Sequence, residues 1–130
     1  GEAAAMTAHV VFTSLDPGQP ASTSPAITRD IIRDRIGFDG LLMSDDLSMQ
    51  ALAGTFESRA GAVIAAGSDL ALHCNGNLDE MRAVAAAAPV LEGMARQRFA
   101  RAMAVTNVAR KPFDRGRAET LLNGLLPTTA

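Results

Sequence analysis

Three short apolar runs alternate with stretches of helical periodicity, and that alternation restricts the chain to few folds. The first run is AAAMTAHVVF, residues 3–12. GLLMS (residues 40–44) and SDLALHC (residues 68–74) are the other two. The first is almost continuously apolar, which predicts a strand buried on both faces, as in a parallel sheet. TSLDPGQPASTSP follows, and its Pro, Gly, Ser and Asp content predicts a loop. Ser24-Pro25 predicts a helix start, with Ser as the cap and Pro at the first helical position. Ile27, Ile31, Ile32 and Ile36 then share one helical face, and Gly37 ends it. After GLLMS, a polar connection leads to a helix from about Phe56 to Ala66. Ala60, Val63 and Ile64 form its inner face and Gly67 its terminator. Asn77 caps another helix through about Ala87. Pro89 separates this from an amphipathic helix over roughly 90–109. The Ile27/Ile31 and Leu91/Met94 stripes read as core. Residues 110–130 read as a tail, loop plus one short helix.

Strands alternating with helices predict parallel βαβ units and hence an α/β fold. Three strands with right-handed crossovers make either a small sheet or part of a (β/α)8 barrel. In both, function sits at the carboxyl ends of the strands. Those ends hold His9, then Ser44-Asp45-Asp46, then His73-Cys74-Asn75. The most polar points of the chain thus follow its most apolar runs.

Composition narrows the classes. A chain of 130 residues is enough for one core. Its net charge is -2, its twelve Lys and Arg form no block, and Trp and Tyr are absent. Nucleic-acid binding is therefore not expected, since neither a basic patch nor a stacking platform is visible. No apolar run approaches a membrane span. The single Cys74 excludes an internal disulfide and fits a reducing compartment. The chain opens without Met, directly into an apolar run, and reads as a cut through a longer protein.

Two adjacent aspartates are poor strand or helix residues. The bland reading is that one caps the next turn and the other is solvated. Adjacent side chains point in different directions, so the pair is not expected to act jointly on one substrate atom. One carboxylate would face the cleft and the other would anchor the loop. A cleft carboxylate can serve as nucleophile, general base or metal ligand. His9 reads either as a hydrogen-bonded core residue or as part of the site. His73 and Cys74 are neighbours facing opposite sides, with no second Cys, so no metal site is expected. Met43 and Met49 read as packing. GFDG precedes its strand, whereas a dinucleotide-binding glycine loop must follow one.

The segments MTAHVVF, SPAITRDIIRDRIGFDGLLMSDDLSMQAL and ESRAGAVIAAGSDLALHCN resemble glycoside hydrolase family 3. Within it they are similar to bacterial β-N-acetylhexosaminidases that release N-acetylglucosamine from peptidoglycan fragments. The resemblance runs from about residue 4 to 108. GFDGLLMSDDLSM is its most specific part, and Asp46-Leu47 stands where related β-glucosidases tend to carry an aromatic. The resemblance implies a (β/α)8 TIM barrel of which residues 1–109 are the C-terminal three βα units. Asp45 would be the nucleophile of a retaining mechanism, forming a covalent glycosyl-enzyme. Asp46 would support the loop, and His9 and Met49 would line the sugar subsite. The resemblance implies no metal and no cofactor. It implies a cytoplasmic enzyme acting on an N-acetylglucosamine-containing muropeptide or glycan.

The family's acid/base is a His paired with an Asp, on a loop following a KHFPGHG-like segment. This chain has no such segment. A barrel needs about 250 residues, so the chain is incomplete as a barrel and expected to be inactive alone. The missing N-terminal barrel portion would be its partner; without it, exposed edges would favour a dimer or strand exchange. The alternative is a non-catalytic α/β module whose Asp45 and Asp46 bind a divalent cation or a partner.

Overall fold

The computed structural model describes residues 2–106 and 113–125. Strands β1 (Ala4–Met6), β2 (Leu41–Asp46) and β3 (Leu70–Leu72) form a parallel sheet in the order β1-β2-β3. A π-wound helix, Ile27–Arg35, connects β1 to β2, and α1 (Phe56–Ala65) connects β2 to β3. Helices α2 (Leu78–Ala87), α3 (Gly93–Thr106) and α4 (Arg115–Leu125) follow. The expected α/β alternation is therefore the observed one.

The core lies between the sheet and the helices α1 and α2. Leu47, Leu52, Ala60, Val63 and Val84 are buried together, with Phe56, Ile64, Ala71 and Ala87 packed against them. Thr55 caps α1 by accepting from Ser58 N at 3.3 Å. Asn77 caps α2 by accepting from Asp79 N and Glu80 N. Gly67 follows α1 at φ +109°, and a Cβ there would lie 2.9 Å from Thr28 Cγ2. This turn needs glycine both for its left-handed backbone and for the close approach of the preceding helix.

The first apolar run forms a much shorter strand than its composition predicts. From Ala8 onward its carbonyls turn to the following loop: Ala8 O accepts from Ser22 N and Val10 O from Ala21 N. Phe12 O then closes a turn with Leu15 N and Asp16 N. Nor is β1 buried on both faces. It is an edge strand, Met6 is half exposed, and Val10, Val11 and Phe12 remain largely open to solvent. An apolar run reports a demand for cover, and the described residues supply cover on one side only.

The isoleucine stripe is also changed. Ser24 Oγ accepts from Ile27 N at 3.1 Å, so the Ser cap is present. The helix then winds wide, with Ile36 N donating to Ile31 O, five residues back. Each wide turn takes in an extra residue, so a stripe spaced for an α-helix rotates out of its interface. Ile27 is 4 % exposed and Ile36 is 68 % exposed. Helix α3 starts at Gly93 rather than near Val90; of its expected span, residues 107–109 lie outside the described residues. Within the tail, residues 110–112 and 126–130 also lie outside them.

The amino ends of the strands are tied by Asp69. Its carboxylate accepts from Arg33 Nη2 and Leu42 N, each at 2.9 Å, and from Arg98 Nη1 at 3.1 Å. One side chain thereby joins the π-wound helix, β2 and α3. The opposite, carboxyl ends are left for the site.

Candidate active site

Strand β2 brings two buried leucines, Leu41 and Leu42, to a buried Ser44 and then to the aspartates. Its neighbours fix that end. Thr7 N donates to Met43 O at 2.8 Å, and Asp45 N donates to Thr7 O at 3.0 Å. Ser44 Oγ accepts from Leu72 N at 3.0 Å, stitching β3 to the same point. The sheet thus delivers Asp45 and Asp46 to one defined position at its carboxyl edge.

The two carboxylates live in different environments. Asp45 Oδ1 accepts from Asp46 N at 2.9 Å. Among the described residues no other hydrogen bond engages that carboxylate. Asp46 instead accepts from Ser48 N at 3.0 Å and Ser48 Oγ at 2.6 Å, and from Cys74. The Ser48 hydroxyl, with the Ser48 and Cys74 donors, outweighs the effect of burial and holds the Asp46 carboxyl down at about 2. The same contact, a hydrogen bond to Asp46, pushes the Cys74 thiol up. Cys74 is therefore a donor to the site and a poor nucleophile.

His9 is buried beneath the pair. Its Nε2 lies 3.1 Å from Asp46 O and its Nδ1 lies 2.6 Å from Ser22 Oγ. A carbonyl only accepts, so Nε2 carries the proton, and in the neutral ring Nδ1 accepts from the Ser22 hydroxyl. His9, Asp45 and Asp46 are thus brought together, with His9 holding the Asp46 peptide from the β1 side. Met49 is 43 % exposed, so it is not the packing residue expected. It closes the turn after the aspartates, its N donating to Asp46 O at 3.1 Å.

Two further groups meet the site in roles that the sequence does not show: Arg59, which it does not single out, and His73, which it marks only as a polar strand end without a metal. Arg59 on α1 donates from Nη1 to Leu47 O at 2.7 Å and to Met49 O at 3.3 Å, bracing the same turn. Its guanidinium also lies 5.2 Å over the Phe56 ring. His73 is the other. Its side chain is 3 % exposed, with Nδ1 3.8 Å from Asp46 Oδ1 and Nε2 3.3 Å from Glu80 Oε2. These are ion-pair distances, but neither ring nitrogen has a partner in hydrogen-bond geometry. Phe56 meets this ring edge-on, centroids 5.0 Å apart. A signal for Glu80 was present: it stands three residues after the Asn77 cap, the capping-box spacing.

Clefts open elsewhere on the chain. One of about 250 Å³ lies between β3 and the α2–α3 connection, lined by Ile64, Leu70 and Pro89 among others. An apolar one of about 310 Å³ runs beside β1, lined by Met6, Phe12, Leu15 and the isoleucines of the π-wound helix. Neither is lined by Asp45 or Asp46, so chemistry rather than cavity size locates the site. Among the described residues no cluster of three or more His, Cys, Asp and Glu could hold a metal ion. Nor, among them, is any helix long and apolar enough to cross a membrane.

Comparison with known proteins gives a consistent picture. Residues 1–109 match the glycosyl hydrolase family 3 N terminal domain. The chain is 46% identical over 91 residues to a beta-hexosaminidase of Chromobacterium violaceum, covering 68% of this chain and 25% of that protein. It is 38% identical over 104 residues to a beta-hexosaminidase of Idiomarina loihiensis, covering 78% and 31%. Among solved structures it is similar to the beta-N-acetylhexosaminidase of Beutenbergia cavernae, with a TM-score of 0.64 and 32% identity over 83% of this chain and 34% of that one. It is also similar to a glycoside hydrolase family 3 beta-N-acetylglucosaminidase of Paenibacillus sp. str. FPU-7, with a TM-score of 0.66 and 26% identity over 89% and 25%. The chain spans about a quarter to a third of the length of these relatives.

Proposed function

The chain belongs to glycosyl hydrolase family 3, and from that membership we propose that it is part of a retaining exo-β-N-acetylglucosaminidase. The proposed substrate is a glycan or muropeptide ending in N-acetylglucosamine, derived from peptidoglycan in the cytoplasm. The relatives' names support the glycosidase class. The three parallel βα units are the C-terminal part of a (β/α)8 barrel, and the remaining strands are the partner this segment needs. Residues 1–109 form that part, and the residues from 110 onward are its tail.

One observation carries the site assignment. The Asp45 carboxylate stands at the carboxyl end of β2 with one oxygen fixed by the Asp46 N–H, and no cation is paired with it among the described residues. In the proposed reaction a carboxylate oxygen of Asp45 attacks the anomeric carbon. The glycosidic bond breaks as its oxygen takes a proton from an acid outside this chain. Water then hydrolyses the glycosyl ester and returns the Asp45 carboxylate. Asp46 supports the loop, His9 acts through the Asp46 carbonyl, and Met49 lines the subsite from its exposed turn.

In the complete protein, Asp45→Ala is expected to lower turnover of an aryl N-acetylglucosaminide by about a thousandfold or more. A mechanism-based fluorosugar should label Asp45 in the wild-type protein. Near wild-type turnover by Asp45→Ala would sink the assignment. The isolated 130-residue chain is expected to be inactive, and to dimerise through the open β1 edge and its apolar flank. Hydrolysis by the purified chain, or a monomer at micromolar concentration in light scattering, would count against this. The cation-binding module has less support. The Asp46 carboxylate is already taken by Ser48 and Cys74, and no third ligand stands by among the described residues.

A further inference from the structure

His73 is a buried polar group beside the site that the proposed reaction leaves unexplained. Both of its nitrogens are inaccessible and lack hydrogen bonds, yet each lies beside a carboxylate oxygen. Unsatisfied buried polar atoms are rare enough in folded proteins to ask what they hold. The ring is too buried to touch a sugar, which excludes a direct catalytic role.

Its surroundings suggest an indirect one. On one side Glu80 is gripped by Asn75 Nδ2 at 2.6 Å and Asn77 Nδ2 at 3.1 Å, both from the β3–α2 connection. On the other side Asp46 is gripped by Ser48 and Cys74. Phe56 closes the edge of the ring and carries Arg59 on its own face. The imidazole therefore spans the space between the first turn of α2 and the loop after β2. A path of contacts continues to the reactive group: Asp46 N is the donor that holds Asp45 Oδ1.

We propose that His73 is a positioning residue, bridging Glu80 and Asp46 so that the Asp46 N–H holds the Asp45 carboxylate in its attacking orientation. The functional half of this inference rests on the glycosidase reading; the bridge itself does not. Removing it loosens Asp46 first and the aim of Asp45 second.

Three variants test it in the complete protein. His73→Phe keeps a flat ring against Phe56 and removes both nitrogens, whereas His73→Gln restores a side-chain NH2 donor. His73→Phe is expected to lower kcat on the order of tenfold with little change in KM, because misaimed nucleophiles lose rate rather than affinity. His73→Gln should recover most of that loss. Glu80→Gln, at a more accessible position, should shift kcat in the same direction by less, and tests the bridge even if His73→Phe folds poorly. Hydrogen exchange in the complete protein supplies a readout independent of activity. The Asp46 amide should exchange several-fold faster in His73→Phe and in Glu80→Gln, with Ala60 and Val63 in α1 unchanged. An unchanged Asp46 amide in both variants overturns the bridge, whether or not the protein hydrolyses anything. A normal Asp45-labelling reaction combined with wild-type kcat in His73→Phe overturns the positioning role while leaving the glycosidase reading intact. Absence of turnover and of label in the wild type would instead defeat that reading.

Discussion

At the amino ends of the strands, Asp69 meets two guanidinium groups; at the carboxyl ends, Asp45 and Asp46 meet none among the described residues. Arg33 and Arg98 both pair with Asp69, whose side chain is almost wholly buried. At the other end Arg59 comes close, but its donors go to the carbonyls of Gly54, Leu47 and Met49. The aspartates there are held by neutral donors: a backbone N–H, a hydroxyl and a thiol. A guanidinium fork fixes a carboxylate and occupies its lone pairs. Several neutral donors take up Asp46, whereas the single one on Asp45 among the described residues fixes that carboxylate and leaves its other lone pairs open. One edge of the sheet uses charge to bind elements together, and the other keeps charge available.

The largest stability effect should therefore come from the amino end. Asp69→Ala leaves Arg33 and Arg98 partly buried without their shared carboxylate, and Leu42 N without its acceptor. Breaking a buried pair from one side typically costs about 3–5 kcal/mol. Urea denaturation should show a loss of that order for Asp69→Ala and less than about 1 kcal/mol for Asp45→Ala, a partly exposed surface substitution. Equal losses would break the contrast.

A smaller effect, and one with a pH signature, should come from Asp46. Its folded-state carboxyl is depressed from 3.8 to about 2. A depressed pKa favours the folded state when the group is ionised. That contribution is fully present above the unfolded value near 4 and disappears as pH falls through about 2. Its size is roughly 2 kcal/mol. Asp46→Asn should remove it, so that stability plotted between about pH 5 and 2 falls less steeply in the variant than in wild type. Parallel curves would mean that Ser48 and Cys74 do not hold an ionised carboxylate there.

The alternation of elements and the polar strand ends were readable because they are local. Helix α1 announces itself by Phe56, Ala60 and Val63, and α2 by the Asn77 cap. The length of β1 was not readable, because whether Val10 and Phe12 join a strand depends on what lies beside them. The π winding was hidden for a similar reason, since a spaced isoleucine stripe does not report how many residues each turn takes. His73 and Glu80 stayed invisible as a pair because their meeting depends on how α2 lies against the end of β2. Arg59 was missed because its targets are carbonyls, which every sequence has everywhere. The residues that carry charge at the site are legible in the sequence; of those around them, His9 and His73 are legible as polar strand ends, but their contacts are not.

The finest test of the contrast lies within the amino-end cluster itself. Arg98 serves two acids, the buried Asp69 and the exposed Asp39. Arg101 serves only the exposed one among the described residues, through Nη2 to Asp39 Oδ2 at 2.8 Å and to Asp39 O at 2.6 Å. Both of its partners are wet, so solvent competes for each contact and the long side chain loses rotamer freedom in making them. If burial decides which ion pairs hold the sheet together, Arg101→Ala should leave the denaturation midpoint within measurement error, and added salt should erase any residue of an effect. Arg98→Ala should shift the midpoint well beyond that error, because it strips a buried carboxylate of one of its two cations. A comparable shift in both variants would mean that the cluster acts as a single charged network, and that its strength comes from the number of charges rather than from the dryness of Asp69.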